Sequence, residues 1–352
     1  MISATKPLLL PEKSHKKRTS VGLNRRGFSG SVLALVAGLC GCKDASPKPS
    51  KTVPGQPLKV VATVGMIADL VRQVGGERVE VTQLMGSGVD PHLYKATRDD
   101  MRLLMTADMI VSVGLLLEGR LQDVLEKLKK THRVVVAANR IPAEKLMVSE
   151  QAGGHPDPHV WMDVETWSGC LPAVTEALSE ERPEHTEEFR QRSAQLLQDL
   201  NSLHRYGLQC IATIPTQRRV LITSHDAFRY FGRAYGLEVM GVQGISTESE
   251  AGLVQVNSLV DLLVERKISS VFIESSVPQK NITALIEGAA SRGHQVTVGG
   301  ELYSDAMGAE GTWEGTYPGM LDHNMTTITR SLGGTAPEHG WAGQRTQSRA
   351  TP

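Results

Sequence analysis

The chain has 352 residues, of which 40% are hydrophobic and 22% charged, and its basic and acidic residues balance to a formal net charge of zero. Residues 1–41 hold seven Lys or Arg and one acidic residue, so the rest of the chain carries 31 basic and 37 acidic residues, a net charge of −6. This acidic balance, with only 4% aromatic residues, argues against a nucleic-acid-binding protein, which needs a basic face.

The first 41 residues have the pattern of an export signal. The segment Arg25-Arg26-Gly27-Phe28 precedes a short apolar run at 32–39. This run is too short to cross a bilayer and is typical of the central region of a signal peptide. The paired arginines resemble the twin-arginine export signal, and a basic segment of the general secretion route stays equally open.

The segment Leu39-Cys40-Gly41-Cys42 resembles a lipobox, although Cys at its second position departs from the usual Ala, Ser or Thr. We predict that Cys42 is lipidated, which would anchor the mature protein to a membrane without a spanning helix. A secreted protein with a free cysteine is the alternative. Residues 42–57 contain four prolines and are predicted to form a tether, and residues 333–352 a disordered tail.

Between these ends, predicted strands and helices alternate, which indicates an α/β fold with parallel sheets. In the first half, apolar runs predict strands at 58–63, 79–84, 109–113 and 133–137, and helices at 66–74, 97–106 and 122–130. In the second half, strands are predicted at 220–223, 238–242, 269–273 and 295–298, and helices at 227–235, 253–265 and 282–292. The sequence therefore predicts two lobes, at 58–180 and 216–332.

A long helix is predicted between the lobes, within 181–215. It starts near Pro183 and ends near Pro215, and an apolar residue recurs along one face at spacings of seven, four and three. This face comprises Phe189, Leu196, Leu200 and Leu203. At 1.5 Å per residue, a helix of roughly 25 residues spans about 40 Å, which makes it a stiff connection.

Four side chains that bind transition metals follow apolar runs in separate segments. They are His92 and His159, each in an Asp-Pro-His sequence, together with His225 and Asp305. A single histidine among eleven is more often a surface or core residue than a ligand, and Asp-Pro by itself is common in turns. All four positions lie where open α/β sheets place ligand-binding residues. The set predicts a Zn²⁺ or Mn²⁺ site in the cleft between the lobes.

Several motifs in the right order resemble the zinc/manganese-binding solute-binding proteins of ABC transporters, the TroA-like branch also called cluster 9 or A-I. They cover roughly 58–332 and comprise the residues Val64 to Asp69, the two Asp-Pro-His sequences, Ser224 to Phe228, Gln243 to Ser246, Phe272 to Ser276 and Gly299 to Ala306. The resemblance implies two parallel-sheet lobes joined by a rigid helix, with a small closure on metal binding. It also implies a permease and an ATPase as partners, and we expect a monomer.

Carried over position by position, the resemblance places the four metal ligands on His92, His159, His225 and Asp305. Members that resemble manganese binders often have Glu at the third position, so three imidazoles and one carboxylate favour Zn²⁺ slightly without excluding Mn²⁺. Glu274 is a candidate for orienting a ligand ring, with a buried, salt-bridged acid as the alternative. Asp226 is predicted to cap the helix that follows His225.

Two other functions use the same ligands. A zinc metallohydrolase would leave one coordination position to water, but no separate general base or nucleophile motif is evident. A metal-dependent surface adhesin is the third possibility, and the sequence offers no test of it. Cys170 and Cys210 are interpreted as core residues rather than a disulfide. The remaining histidines interpreted as non-ligands are His132, His185, His204, His294, His323 and His339.

Overall fold

Parallel strands and helices alternate through the part of the chain that the structure describes. This structure is a computed structural model and describes residues 55–150 and 153–344. The predicted export signal, Cys42 and the tether up to residue 54 lie outside the described residues, as do residues 345–352. Among the described helices, none combines the length and the apolar character needed to cross a membrane.

The first half of the chain forms a four-stranded parallel sheet in the order β2-β1-β3-β4. Its strands are β1 (Leu58–Ala62), β2 (Val79–Gln83), β3 (Met109–Ser112) and β4 (Arg133–Val136), and its helices are α1 (Gly65–Gly75), α2 (Arg98–Thr106) and α3 (Gln122–Leu128). Of the two central strands, β3 is fully buried, and β1 is apolar and buried except at Lys59. Such sequences are typical of parallel sheets that helices cover on both faces. These elements confirm the prediction, and each end lies within two residues of its predicted position.

A connecting region with little sheet follows. It contains the short antiparallel pair β5 (Val148–Ser149) and β6 (His155–Pro156), then α4 (Val164–Ser168) and α5 (Leu171–Glu181). The sequence did not predict either helix. Asp163 caps α4 by accepting from the backbone N–H groups of Glu165 and Thr166.

The long connecting helix is confirmed as α6 (Thr186–Ala212), which has 27 residues and follows a 3₁₀ turn at Pro183–His185. Its predicted apolar face is buried at all four positions, namely Phe189, Leu196, Leu200 and Leu203. This face packs against α1, α4, α5 and the helix α10 described below. Because one helix buries its side chains against elements from both halves, it acts as a strut and not as a hinge.

The second half consists of two parallel strand pairs that pack side by side. Its strands are β7 (Val220–His225), β8 (Glu238–Gln243), β9 (Ser270–Glu274) and β10 (Thr297–Leu302), and its helices are α7 (Arg229–Tyr235), α8 (Leu253–Glu265), α9 (Lys280–Ser291) and α10 (Tyr317–Ser331). β7 pairs with β8, β9 pairs with β10, and β7 contacts β9. The fold class is therefore confirmed, while α10 was not predicted.

The two halves share one large apolar core. It includes Val60 and Met66 from the first half, and Phe231, Phe272 and Met325 from the second. A smaller core lies between α8, α9 and the strands of the second half. Since burial of apolar surface contributes about 25 cal/mol per Å², a core shared in this way resists large relative motion of the halves.

Two expectations about local structure are wrong. Asp226 does not cap the helix after His225, because α7 begins only at Arg229 and has no side-chain cap. A hydrogen bond from the Ala227 N–H to the His225 carbonyl makes a turn there and delays the helix. Asp226 instead faces Arg229 across 3.9 Å.

The predicted disordered tail is also wrong for residues 333–344, which are folded. Trp341 is 2% exposed and stacks on Trp313, with ring centroids 6.1 Å apart. The buried carboxylate of Asp322 accepts hydrogen bonds from the backbone N–H groups of Trp341 and Ala342. One aromatic anchor and one buried carboxylate thus order a segment whose composition is otherwise polar. Cys170 and Cys210 are both buried and free, as interpreted from the sequence.

Candidate metal centre

The four predicted ligands come from four separate segments, and the structure brings them together. His92 lies in the loop after β2, His225 is the last residue of β7, and Asp305 follows β10. His159 follows the two-residue strand β6, so its segment is not a strand of either main sheet. Their four ligand atoms all lie within 4.8 Å of one another.

The distances between these atoms match the edges of a small tetrahedron. The Nε2 atoms of His92 and His159 are 3.3 Å apart. The Asp305 carboxylate lies 3.2 Å from His225 Nε2, 3.3 Å from His159 Nε2 and 3.6 Å from His92 Nε2. Ligands about 2.1 Å from a tetrahedral Zn²⁺ ion are separated by roughly 3.4 Å. The four separations given above, which involve both oxygens of Asp305, are close to that value, and all the ligand atoms lie within 4.8 Å of one another, so they could hold one such ion.

Burial makes these atoms costly to leave without a partner. His159 and His225 are 0% exposed, Asp305 is 1% exposed and His92 is 4% exposed. Within the described residues, both carboxylate oxygens of Asp305 and Nε2 of His225 lack a hydrogen-bond partner. A buried, unsatisfied polar group is destabilising, and a cation coordinated by these atoms would remove that penalty.

The electrostatics of the site keep the carboxylate ionised. Burial opposes ionisation, but His225 and His159 hold the pKa of Asp305 well below its usual range. Burial by itself would lower the pKa of His159, but the carboxylates of Asp157 and Asp305 raise it to about 9. At His92 burial dominates and lowers the pKa to about 3, so this imidazole is neutral with a lone pair free to coordinate.

Glu274 holds the ring of His225. One of its oxygens accepts the backbone N–H of His225 at 2.8 Å, and the other lies 2.5 Å from Nδ1. Burial by itself would lower the pKa of His225, but the carboxylates of Glu274 and Asp305 raise it well above its usual value. A carboxylate on Nδ1 directs Nε2 toward the ion position and makes the imidazole a stronger ligand. The structure thus places Glu274 where the sequence suggested it.

Asp157 does the same for His159, and sequence reasoning missed it. Its Oδ1 atom accepts the backbone N–H of His159 at 3.0 Å and lies 2.7 Å from Nδ1. The signal was present in the Asp-Pro-His sequence, because an aspartate two residues before a histidine can reach both groups. From the sequence, Asp-Pro was attributed to turn formation, and only the histidine of Asp-Pro-His was assigned to the metal site.

Trp161 closes the inner side of the site, by which we mean Asp157, His159, Trp161, His225, Glu274 and Asp305. Its indole N–H donates to the carbonyl of Ser304 at 2.8 Å, and its ring packs edge-on against His159 at 5.3 Å. The hydroxyl of Tyr317 donates to the carbonyl of Trp161 at 2.8 Å. The inner side is therefore buried and is formed by residues from both halves.

The mouth of the site is open in contrast. We use this name for the rim around a cavity of about 410 Å³ that His92 lines together with Leu116, Arg120, Ile245 and Glu248. Across it, the Arg120 guanidinium and the Glu248 carboxylate form an ion pair at 3.2 Å. Of the four predicted ligands, His92 lines this cavity and is the most exposed, at 4%, so the mouth is the side on which the site comes nearest to solvent.

One wall of the mouth has an unusual backbone. Leu115 and Leu116 have φ values of 55° and 65°, a left-handed conformation that non-glycine residues rarely adopt. The carboxylate of Glu118, which is 0% exposed, accepts from the backbone N–H groups of Val113 and Gly114 at 2.9 and 3.2 Å. This buried acid fixes the loop that carries the two leucines.

The histidines interpreted as non-ligands do not join the site. Within residues 55–150 and 153–344, the group of side chains that could hold a metal ion comprises the four predicted ligands alone. Several other histidines bond to backbone carbonyls instead, such as His132 to Met105, His294 to Ile268 and His323 to Glu301.

Comparisons with known proteins agree with this geometry. Residues 60–331 match the family described as zinc-uptake complex component A, periplasmic (ZnuA). The chain is 46% identical to the manganese-binding lipoprotein MntA of Bacillus subtilis and 45% identical to the zinc-binding protein TroA of Treponema pallidum. Each alignment covers 88% of this chain and 99% of the relative.

Solved structures show the same fold. The periplasmic zinc-binding protein TroA from Treponema pallidum superposes with a TM-score of 0.76 at 46% identity, over 78% of this chain and 99% of that chain. The Fe(III)-bound YtgA from Chlamydia trachomatis superposes with a TM-score of 0.72 at 26% identity, over 80% of this chain and all of that chain.

Proposed function

The chain belongs to the family of periplasmic zinc-uptake complex component A proteins, and we propose that it is the solute-binding component of an ABC importer that carries Zn²⁺ or Mn²⁺. The metal is its cargo. His92, His159, His225 and Asp305 are the proposed ligands. The observation that carries this assignment is the convergence of four buried ligand atoms, from four separate segments, within 4.8 Å of one another.

Capture rather than catalysis is the function this geometry favours. Catalytic zinc sites usually have three protein ligands and leave a position for water. Here four protein groups surround the ion position, and the carboxylates of Asp157 and Glu274 beside them are engaged with the rings of His159 and His225. No observation favours the metallohydrolase or the adhesin over a transport component.

The ligand set accommodates either metal named for its relatives. MntA is named for manganese and TroA for zinc, although both are equally similar to this chain. Three imidazoles and one carboxylate match the preference of Zn²⁺ more closely than that of Mn²⁺, which favours oxygen ligands. We therefore propose zinc as the preferred cargo and manganese as the competitor.

The place of action and the partners follow from the same family membership. We propose that the protein is exported and anchored by a lipid on Cys42, and that it delivers its metal to a permease driven by an ATPase. It would do so as a monomer. The names of MntA and of other relatives as lipoproteins support the anchor.

The test is a metal titration of the purified, metal-stripped protein with Zn²⁺ and Mn²⁺ in parallel. We expect one ion per chain, a rise in thermal stability on binding, and loss of both in His225→Ala. His339→Ala, at an exposed histidine outside the site, is the matched control and should bind as the wild type does. Binding by His225→Ala with unchanged affinity would overturn the assignment.

A further inference from the structure

The three histidine ligands are held in different ways. The rings of His159 and His225 each have a carboxylate at Nδ1, from Asp157 and Glu274. His92 has its Nε2 in the site, but no described residue makes a hydrogen bond to its Nδ1. Its ring direction must therefore be set by its backbone and by the loop that carries it.

Asp90 holds that backbone. One oxygen of its carboxylate accepts the N–H of His92 at 2.8 Å, which is the same short-range bond that Asp157 makes to His159. Unlike Asp157, which also bonds the ring of His159, Asp90 makes no hydrogen bond to the ring of His92 among the described residues. Its other oxygen instead accepts the hydroxyl of Thr247 at 2.5 Å.

Thr247 belongs to the opposite half of the molecule. It lies in the loop between β8 and α8, which starts after Gln243 and ends at Gly252. Thr247 is 8% exposed, and the side-chain amide of Gln243 braces the loop by donating to the carbonyl of Ser249 at 3.1 Å. A single buried hydroxyl thus links the second half to the segment that positions His92.

We propose that Thr247 is a positioning residue for metal binding, which sets His92 through Asp90 only when the two halves are closed together. The proposal deepens the proposed function and rests on it. When the loop moves away, Asp90 loses its second hydrogen bond and His92 loses the support that replaces a ring carboxylate. His92 would then be the ligand that leaves first, on the side where the cavity opens.

The test measures how fast Zn²⁺ leaves the loaded protein. Wild type, Thr247→Val, Thr247→Ser and Thr283→Val are each loaded with one equivalent of Zn²⁺ and mixed rapidly with excess EDTA. Thr283 is the matched control because it is exposed and its hydroxyl bonds only within α9, to Gln279. Thermal melting of the metal-free forms is recorded in parallel.

We expect Thr247→Val to release Zn²⁺ about tenfold faster, since it loses a hydrogen bond to a charged acceptor. Thr247→Ser, which keeps the hydroxyl, should release at the wild-type rate, as should Thr283→Val. The metal-free melting temperatures should be alike in all four proteins. Equal release rates for Thr247→Val and wild type would overturn the proposal.

Two further outcomes are informative. A metal-free Thr247→Val protein that melts well below wild type, with no faster release, would overturn the positioning role and assign Thr247 a structural one. A wild-type protein that binds neither Zn²⁺ nor Mn²⁺ in the parallel titration would overturn the proposed function itself. Failure of the positioning role and failure of the proposed function therefore give different results.

Discussion

The inner side and the mouth hold the same ion position by different means. On the inner side, buried carboxylates hold the rings of His159 and His225, and Trp161 joins both halves through Ser304. At the mouth, His92 relies on a backbone contact and faces a cavity, and the ion pair that spans it is about half exposed. The contrast teaches that rigidity and access are assigned to opposite sides of one site.

The physical cost of disturbing each side differs accordingly. Hydrogen bonds in a dry interior are costly to break because the freed groups find no water. An exposed ion pair is screened and contributes little. Substitutions of the large buried side chains on the inner side should therefore lower the free energy of unfolding. Substitutions of the carboxylates that bond the histidine rings should lower metal affinity, and substitutions at the mouth should change the rate of metal release.

The largest effect is expected for Trp161→Ala. Removing a 0% exposed indole should lower the free energy of unfolding of the metal-free protein by about 3–5 kcal/mol. Urea denaturation measures it. Trp313→Ala, at a Trp that is 37% exposed, is the control and should cost less. If the two variants were equally stable, the inner side would not be the structural wall described above.

A smaller effect, confined to metal binding, is expected for Glu274→Gln. The amide can accept only one of the two hydrogen bonds from His225, so Zn²⁺ affinity should fall by about 10–100-fold. Competition with a chelator of known affinity measures this. Glu238→Gln, at an exposed glutamate on β8, is the control. An unchanged affinity for Glu274→Gln would show that its contact to His225 is only structural.

The smallest effect is expected at the rim of the mouth. Glu248→Gln removes the ion pair with Arg120, whose side chains are 42% and 51% exposed. The change in stability should be at most about 1 kcal/mol and should vanish at high salt. Melting curves at low and high ionic strength test this. A loss that persists at high salt would mean that the mouth is as firmly closed as the inner side.

Much of the fold was predictable because buried parallel strands are apolar runs. β1, β3 and β7 are buried and mostly apolar, and the predicted ligands His92, His225 and Asp305 lie at or after strands of the two halves. His159 follows only the two-residue strand β6. Helix α10 was not predicted, because Tyr317-Pro318-Gly319 begins it and its buried face is partly polar. Asn324 on that face bonds both backbone groups of Tyr303, a contact that no periodicity reveals.

The contacts that support the proposed ligands also differ in whether the sequence could have predicted them. Asp157 reaches a histidine two positions away, so a closer interpretation of Asp-Pro-His would have found it. Thr247 and Asp90 are 157 positions apart, and their hydrogen bond depends on how the two halves pack. The tail was misjudged because one tryptophan and one buried aspartate outweigh a polar composition.

The two sides of the mouth differ in backbone conformation, because Leu115 and Leu116 on one wall are left-handed. Each such residue costs roughly 1–2 kcal/mol, so this wall keeps its shape only because the buried Glu118 carboxylate holds the loop. Hydrogen bonds to a buried carboxylate make a change in the shape of this loop costly. We therefore expect that any adjustment of the mouth on metal loading takes place in the 244–252 loop and leaves the wall of Leu115 and Leu116 in position.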